Sequence, residues 1–216
     1  MTYRLAIFPA WLLDSAHHAE GLLDLIGEGA CGEPAGEAAE LLQDLVRRCA
    51  GEFSVLARDE CGIVIATSGP DRHVYETLVW LTTNHDAAVY DPQARRLYHP
   101  RGRVELEVSV GGVLELPYLT VAILRDLVLR PLWPDPQCPF ATVARAEEEF
   151  IQFFRRDDGF YQVEYREGGQ ETQFGVDLRE SERVIEVMWA WTREDPGWRT
   201  ALPWGPVEFE SEPVLS

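Results

Sequence analysis

Residues 149–204 constrain the fold more than any other stretch of this chain. Tyr161, Val163 and Tyr165 alternate with Gln162, Glu164 and Arg166, the two-residue period of a half-buried antiparallel strand. Asp157-Asp158-Gly159 before it and Glu167-Gly168-Gly169-Gln170 after it are turn chemistry. Residues 150–154 read as the preceding strand, and Thr172, Phe174 and Val176 as one face of the following one. Val184, Val187, Met188 and Trp191 then recur at helical spacing. Asp177 and Glu180 stand three apart, as in a capping box. Pro196-Gly197 ends the helix, and Trp198 and Trp204 are expected to fold over helix and sheet. Residues 207–209 read as a last edge strand and 210–216 as an acidic tail. The expectation is an antiparallel βββα module.

Upstream, residues 3–8 form an apolar run closed by Pro9, a strand. A helix is expected over 15–26, stopped by Gly27, with a loop to Gly32 and Pro34 in the first turn of the next helix. Ala38, Leu41, Leu42, Leu45, Val46 and Cys49 make an amphipathic stripe, and Gly51 suits the left-handed position past its end. Residues 53–57 read as a short strand. The β-branched run 62–67 suits a strand buried on both faces. A helix over 72–84 follows, then strands at 87–90 and 96–99 joined by the turn Asp91-Pro92-Gln93-Ala94. Residues 103–110 alternate strictly, and Gly111-Gly112 turns them back into 113–116. Residues 120–129 read as a helix and 141–148 as one short helical turn. Four prolines mark 131–140 as a connector. The fold class expected is α+β, small sheets packed against helices. It divides into an N-terminal α/β domain over residues 1–130 and the βββα module over 141–216.

Hydrophobic residues make up 46% of the 216, enough for a real core, and the formal net charge is −18. That charge repels nucleic-acid phosphates and attracts basic partners. All basic residues are Arg, with no Lys, a composition typical of a GC-rich bacterial genome. Cys31, Cys49, Cys61 and Cys138 have no C-x-x-C spacing and read as reduced thiols. No stretch of about 20 apolar residues exists to span a bilayer, and the N-terminus lacks a basic region followed by an apolar run. A cytoplasmic protein is expected, with no membrane and no nucleic acid as partner.

No stretch carries a recognised chemical signature. His73 and Glu76 could share a helix face, but two ligands do not hold a metal. His17 and His18 point about 100° apart on a helix. Cys49 or Cys61 with His85 would make a thiol–imidazole pair, yet Cys49 lies on the buried stripe. Ser68 lacks the G-x-S-x-G frame, and neither Gly111-Gly112 nor Gly168-Gly169 continues into a phosphate loop. No catalytic, cofactor or metal residue is assigned, and no cofactor is expected. The acids Glu147, Glu148, Glu149, Asp157, Asp158, Glu164 and Glu167, with Arg166, mark the expected partner-binding face.

Two groups of stretches resemble a known class. The first is GEPAGEAAELLQDLVRRCA, then GIVIATSG and HDAAVYDPQARRLYHP. The second is GFYQVEYREGGQETQF, then ERVIEVMWAWTREDPGW and LPW. Together they resemble immunity-type proteins encoded beside bacterial polymorphic toxins. The resemblance implies a non-enzymatic protein that binds a toxin domain, basic if the acidic surface is the contact; it assigns no residue a role. Two other readings stay open. One is an enzyme with an unrecognised carboxylate or thiol site. The other is an interaction module, homo-oligomeric through the edge of the C-terminal sheet.

Overall fold

A computed structural model describes residues 2–26, 30–34, 36–130 and 139–207. Among the described residues, two antiparallel sheets and six α-helices make an α+β fold. The first sheet has the strands β1 (Tyr3–Pro9), β2 (Ser54–Asp59), β3 (Gly62–Thr67), β4 (Ala87–Asp91) and β5 (Arg96–Tyr98). Their order is β2-β3-β1-β4-β5, which puts the apolar β1 at the centre. Every residue of β3 is buried, as its unbroken apolar run requires. Helix α1 (Ala16–Leu25) covers one face, packing Ala19 and Leu22 against Ala6, Phe8 and Tyr90. Helices α2 (Gly36–Arg48) and α3 (Arg72–Leu81) cover the other, against Leu5, Ile7, Ile63 and Ile65.

The local chemistry explains most boundaries. The Ser15 hydroxyl caps α1 by accepting from His18 N, and the Asp71 carboxylate caps α3 by accepting from Val74 N. Ala38, Leu41, Leu45 and Cys49 are fully buried on the α2 stripe, while Val46 is exposed. Helix α2 begins at Gly36, so Pro34 lies before its first turn. Gly51 takes φ +86°, the left-handed turn that ends α2.

The second sheet has seven strands: β6 (Glu107–Val110), β7 (Leu114–Leu116), β8 (Phe140–Ala146), β9 (Glu149–Arg155), β10 (Tyr161–Glu167), β11 (Gln173–Leu178) and β12 (Gly205–Pro206). Their order is β12-β11-β10-β9-β8-β6-β7. Helices α4 (Val121–Leu129) and α5 (Ser181–Thr192) and the short α6 (Trp198–Ala201) complete the chain. The antiparallel βββα succession is present as β9, β10, β11 and α5. Tyr165 stacks on Phe174, and Trp198 and Trp204 meet its ring edge-on, so the tail covers the sheet as expected.

Several elements differ from the sequence reading. Residues 141–148 are not a helical turn: strand β8 occupies 140–146, with Ala141 and Val143 buried. Small residues in β8 give a weak periodic signal, and pairing on both sides with β6 and β9 decides the matter. The alternating run 103–110 is a ladder strand only from Glu107; Val104 makes an isolated bridge to Leu119. The capping box is absent. Glu180 is the N-cap without a side-chain bond, and the Asp177 carboxylate accepts from Arg156 at 2.9 Å. Val207 N donates to Gln173 O just past β12; the rest of the expected edge strand, Gly27 and Cys138 lie outside the described residues.

The change from one sheet to the other falls between Tyr98 and Glu107, upstream of residues 131–140. One hydrophobic core runs from Leu5 through Leu78, Tyr118 and Leu124 to Val163 and Trp191. At its edge lies a buried polar knot built on the Asp91 turn. Asp91 Oδ1 accepts from Gln93 N, Gln93 Nε2 and Ala94 N at 2.9–3.0 Å. Its Oδ2 accepts from the Tyr3 hydroxyl at 2.5 Å and the Tyr75 hydroxyl at 3.1 Å. Tyr98 lies 2.8 Å from Tyr75, and the buried Arg96 donates to Asp126 of α4 at 2.5 Å. Burial and the Asp91 carboxylate push the Tyr3 phenol up, and burial raises Tyr75 and Tyr98.

Candidate functional site

Alternation sorts the second sheet into two faces. Val108, Ala141, Val143, Ile151, Phe153, Val163 and Tyr165 are buried in the core, and the side chains between them point the other way. Register lines up one outer row across six strands: Glu115, Ser109, Thr142, Gln152, Glu164 and Gly175. Hydrogen bonds run along it. Ser109 donates to Glu115 at 2.9 Å, Thr142 to Gln152 at 3.2 Å and Gln152 Nε2 to Glu164 at 3.0 Å. On one side the row is flanked by Phe140, Phe154 and Gln162, and on the other by Phe150, Arg166 and Gln173. Phe154 is 42% exposed and belongs to neither core.

Glu164 sits in the middle and is only 8% exposed. Its carboxylate accepts from the amides of Gln152, Gln162 and Gln173 at 2.6–3.0 Å. Arg166 Nε donates in turn to Gln173 Oε1 at 2.9 Å, so the cation compensates Glu164 through the intervening amide. Sequence alternation placed Gln162, Glu164 and Arg166 on one face. It could not supply Gln152, Gln173 and Thr142, because cross-strand partners depend on register.

The remaining acids of the expected binding face are distributed differently. Glu147 and Glu148 are exposed in the β8–β9 turn, and Glu148 accepts from Arg166 at 2.9 Å. Glu149 pairs with Arg145 at 3.1 Å and Glu167 with Arg199. Asp157 and Asp158 are exposed in the β9–β10 turn, where Asp158 pairs with Arg156 at 2.8 Å. A seven-residue strand is about 20 Å long, so the two turns bracket the platform from opposite ends. The structure joins Glu148, Arg166 and Glu164 into one network and leaves Asp157 and Asp158 as a separate rim.

Cavities among the described residues include one away from the platform and one that shares Glu115 with its outer row. One of about 700 Å³ is lined by Arg95, Arg101, Arg125, Arg130 and Arg193, with Asp126. Arg125 is held by Glu182 and Arg95 by Glu20. The other, of about 570 Å³, is lined by Arg48, His73, Glu76, Trp80, Glu107 and Glu115. Here His73 and Glu76 do not act as a pair. The Glu76 carboxylate accepts from Arg72 Nε at 2.9 Å and from the backbone N of Glu115 at 2.7 Å. His73 instead meets Cys49 and Glu52, one ligand atom from each, all within 4.8 Å of one another. His85 is engaged with Asp44, at 2.9 Å, and that hydrogen bond holds the Asp44 carboxyl low. No helix among the described residues is long and apolar enough to cross a membrane. No protein-family model, curated protein or solved structure matches the chain.

Proposed function

We propose that this is a non-enzymatic, cytoplasmic immunity- or inhibitor-type protein that holds a basic protein domain, a bacterial toxin domain, on the outer face of its seven-stranded sheet. The observation behind this reading is the platform itself. A hydrogen-bonded polar row is flanked by Phe140, Phe150 and Phe154 and rimmed at both ends by acidic turns. Such a surface has what a protein interface uses: aromatic anchors and fixed polar groups, with charge at the rim. The excess of 37 acidic over 19 basic side chains selects a basic partner and speeds its capture.

The test is co-purification with the product of the neighbouring gene, joined to a toxicity-rescue assay. The platform reading expects Phe154→Ala to weaken binding by about tenfold or more. Asp157→Arg with Asp158→Arg should slow association and flatten its salt dependence. A neighbouring product that neither binds nor is neutralised would overturn the proposal.

A further inference from the structure

Outside the platform, one cluster combines three kinds of metal-ligating atom. Cys49 follows the last turn of α2, its N donating to Leu45 O at 2.8 Å. The left-handed Gly51 reverses the chain, and Glu52 N donates back to Cys49 O at 3.2 Å. Glu52 is thereby returned to the side of the thiol. The capped first turn of α3 delivers His73 from across the α2–α3 contact. The thiol, carboxylate and imidazole atoms lie within 4.8 Å of one another. Among the described residues, the Glu52 carboxylate and the His73 imidazole have no other hydrogen bond or ion pair.

We propose that Cys49, Glu52 and His73 bind one divalent transition metal ion of the zinc class. A tetrahedral zinc with ordinary bond lengths keeps such ligand atoms roughly 3.4–3.6 Å apart. Glu52 and His73 are exposed, so small side-chain rotations close the remaining gap. Thiolate and imidazole favour zinc, cobalt or copper over calcium or magnesium, which take oxygen ligands. One thiolate, one carboxylate and a neutral imidazole balance the two positive charges of the ion. Three protein ligands leave a fourth position, and the 570 Å³ cavity adjoins the cluster through His73. Coordination needs the thiolate, so binding releases a proton and strengthens as pH rises.

The experiment titrates Co²⁺, then Zn²⁺, into the metal-free full-length chain and follows absorbance. One Co²⁺ per chain is expected, with a thiolate-to-cobalt charge-transfer band in the near ultraviolet that Zn²⁺ displaces. Cys49→Ser should abolish that band, and Cys61→Ser should leave it unchanged. His73→Ala and Glu52→Gln, at exposed positions that keep the fold, should each weaken Co²⁺ binding at least tenfold. No band in the folded wild-type chain would overturn the proposal. So would a band that survives Cys49→Ser, or an affinity that His73→Ala does not change.

Discussion

Replacing Asp91 tests how the first sheet is tied to its helices. Asp91 is fully buried and accepts five hydrogen bonds, three from its own turn and two from Tyr3 and Tyr75. Asp91→Ala removes the charged acceptor from the buried Tyr3 and Tyr75 hydroxyls, while the turn donors of the exposed Gln93 and of Ala94 can turn to water. Bonds to a charged acceptor contribute about 1.5–3 kcal/mol each, but they are not additive, and removing one member of a buried charged group costs about 3–5 kcal/mol in all. Asp91→Asn keeps the shape and the turn oxygen, and its amide can donate to the two phenol oxygens. A smaller loss of about 1–2 kcal/mol is expected there. Tyr3→Phe removes one charged bond without opening a cavity, about 1.5–3 kcal/mol. Urea denaturation followed by tryptophan fluorescence measures all three, with unchanged m-values as the check on two-state behaviour. A double-mutant cycle of Tyr3→Phe with Asp91→Asn should show coupling of about 1 kcal/mol or more. A loss below about 1 kcal/mol for Asp91→Ala would show that the knot does not tie the sheet to its helices.

The same knot sets an alkaline limit. Tyr3, Tyr75 and Tyr98 hold their protons in the folded state at pH values where the unfolded chain, with phenols near 10, has lost them. The folded state binds more protons, so stability is full below about pH 10 and falls above it, by up to about 1.4 kcal/mol per pH unit for each phenol. Their phenolate absorbance should appear only with unfolding; earlier ionisation would contradict it. A Cβ on Gly62 would lie 2.5 Å from Ile7 O and 2.8 Å from the Phe8 ring. Gly62→Ala should therefore cost about 2–3 kcal/mol, read as a lower urea midpoint. On the platform, Glu164→Ala leaves the Gln152, Gln162 and Gln173 amides without their shared acceptor. It should cost about 2–4 kcal/mol, whereas Glu164→Gln, which keeps one oxygen, should cost less; equal losses would contradict the shared-acceptor account.

What the sequence determined by itself is local. The Gly51 stop, the α2 stripe apart from the exposed Val46, the alternation of β10 and the Asp91 turn each depend on residues a few positions apart, and each stands where the sequence placed it. Tertiary structure decided what distance in the chain hides. Strand β8, poor in periodic signal, is a strand because β6 and β9 flank it. Glu164 has the alternation of an exposed residue, yet register surrounds it with three glutamines and buries it. Cys49 belongs to a packing stripe and His73 to a helix start, and only the contact of α2 with α3 sets them beside Glu52. A strand's period or a helix's cap is settled by neighbours in sequence. Register and helix packing are settled by the core as a whole, and they assemble both the polar platform and the Cys49, Glu52 and His73 cluster.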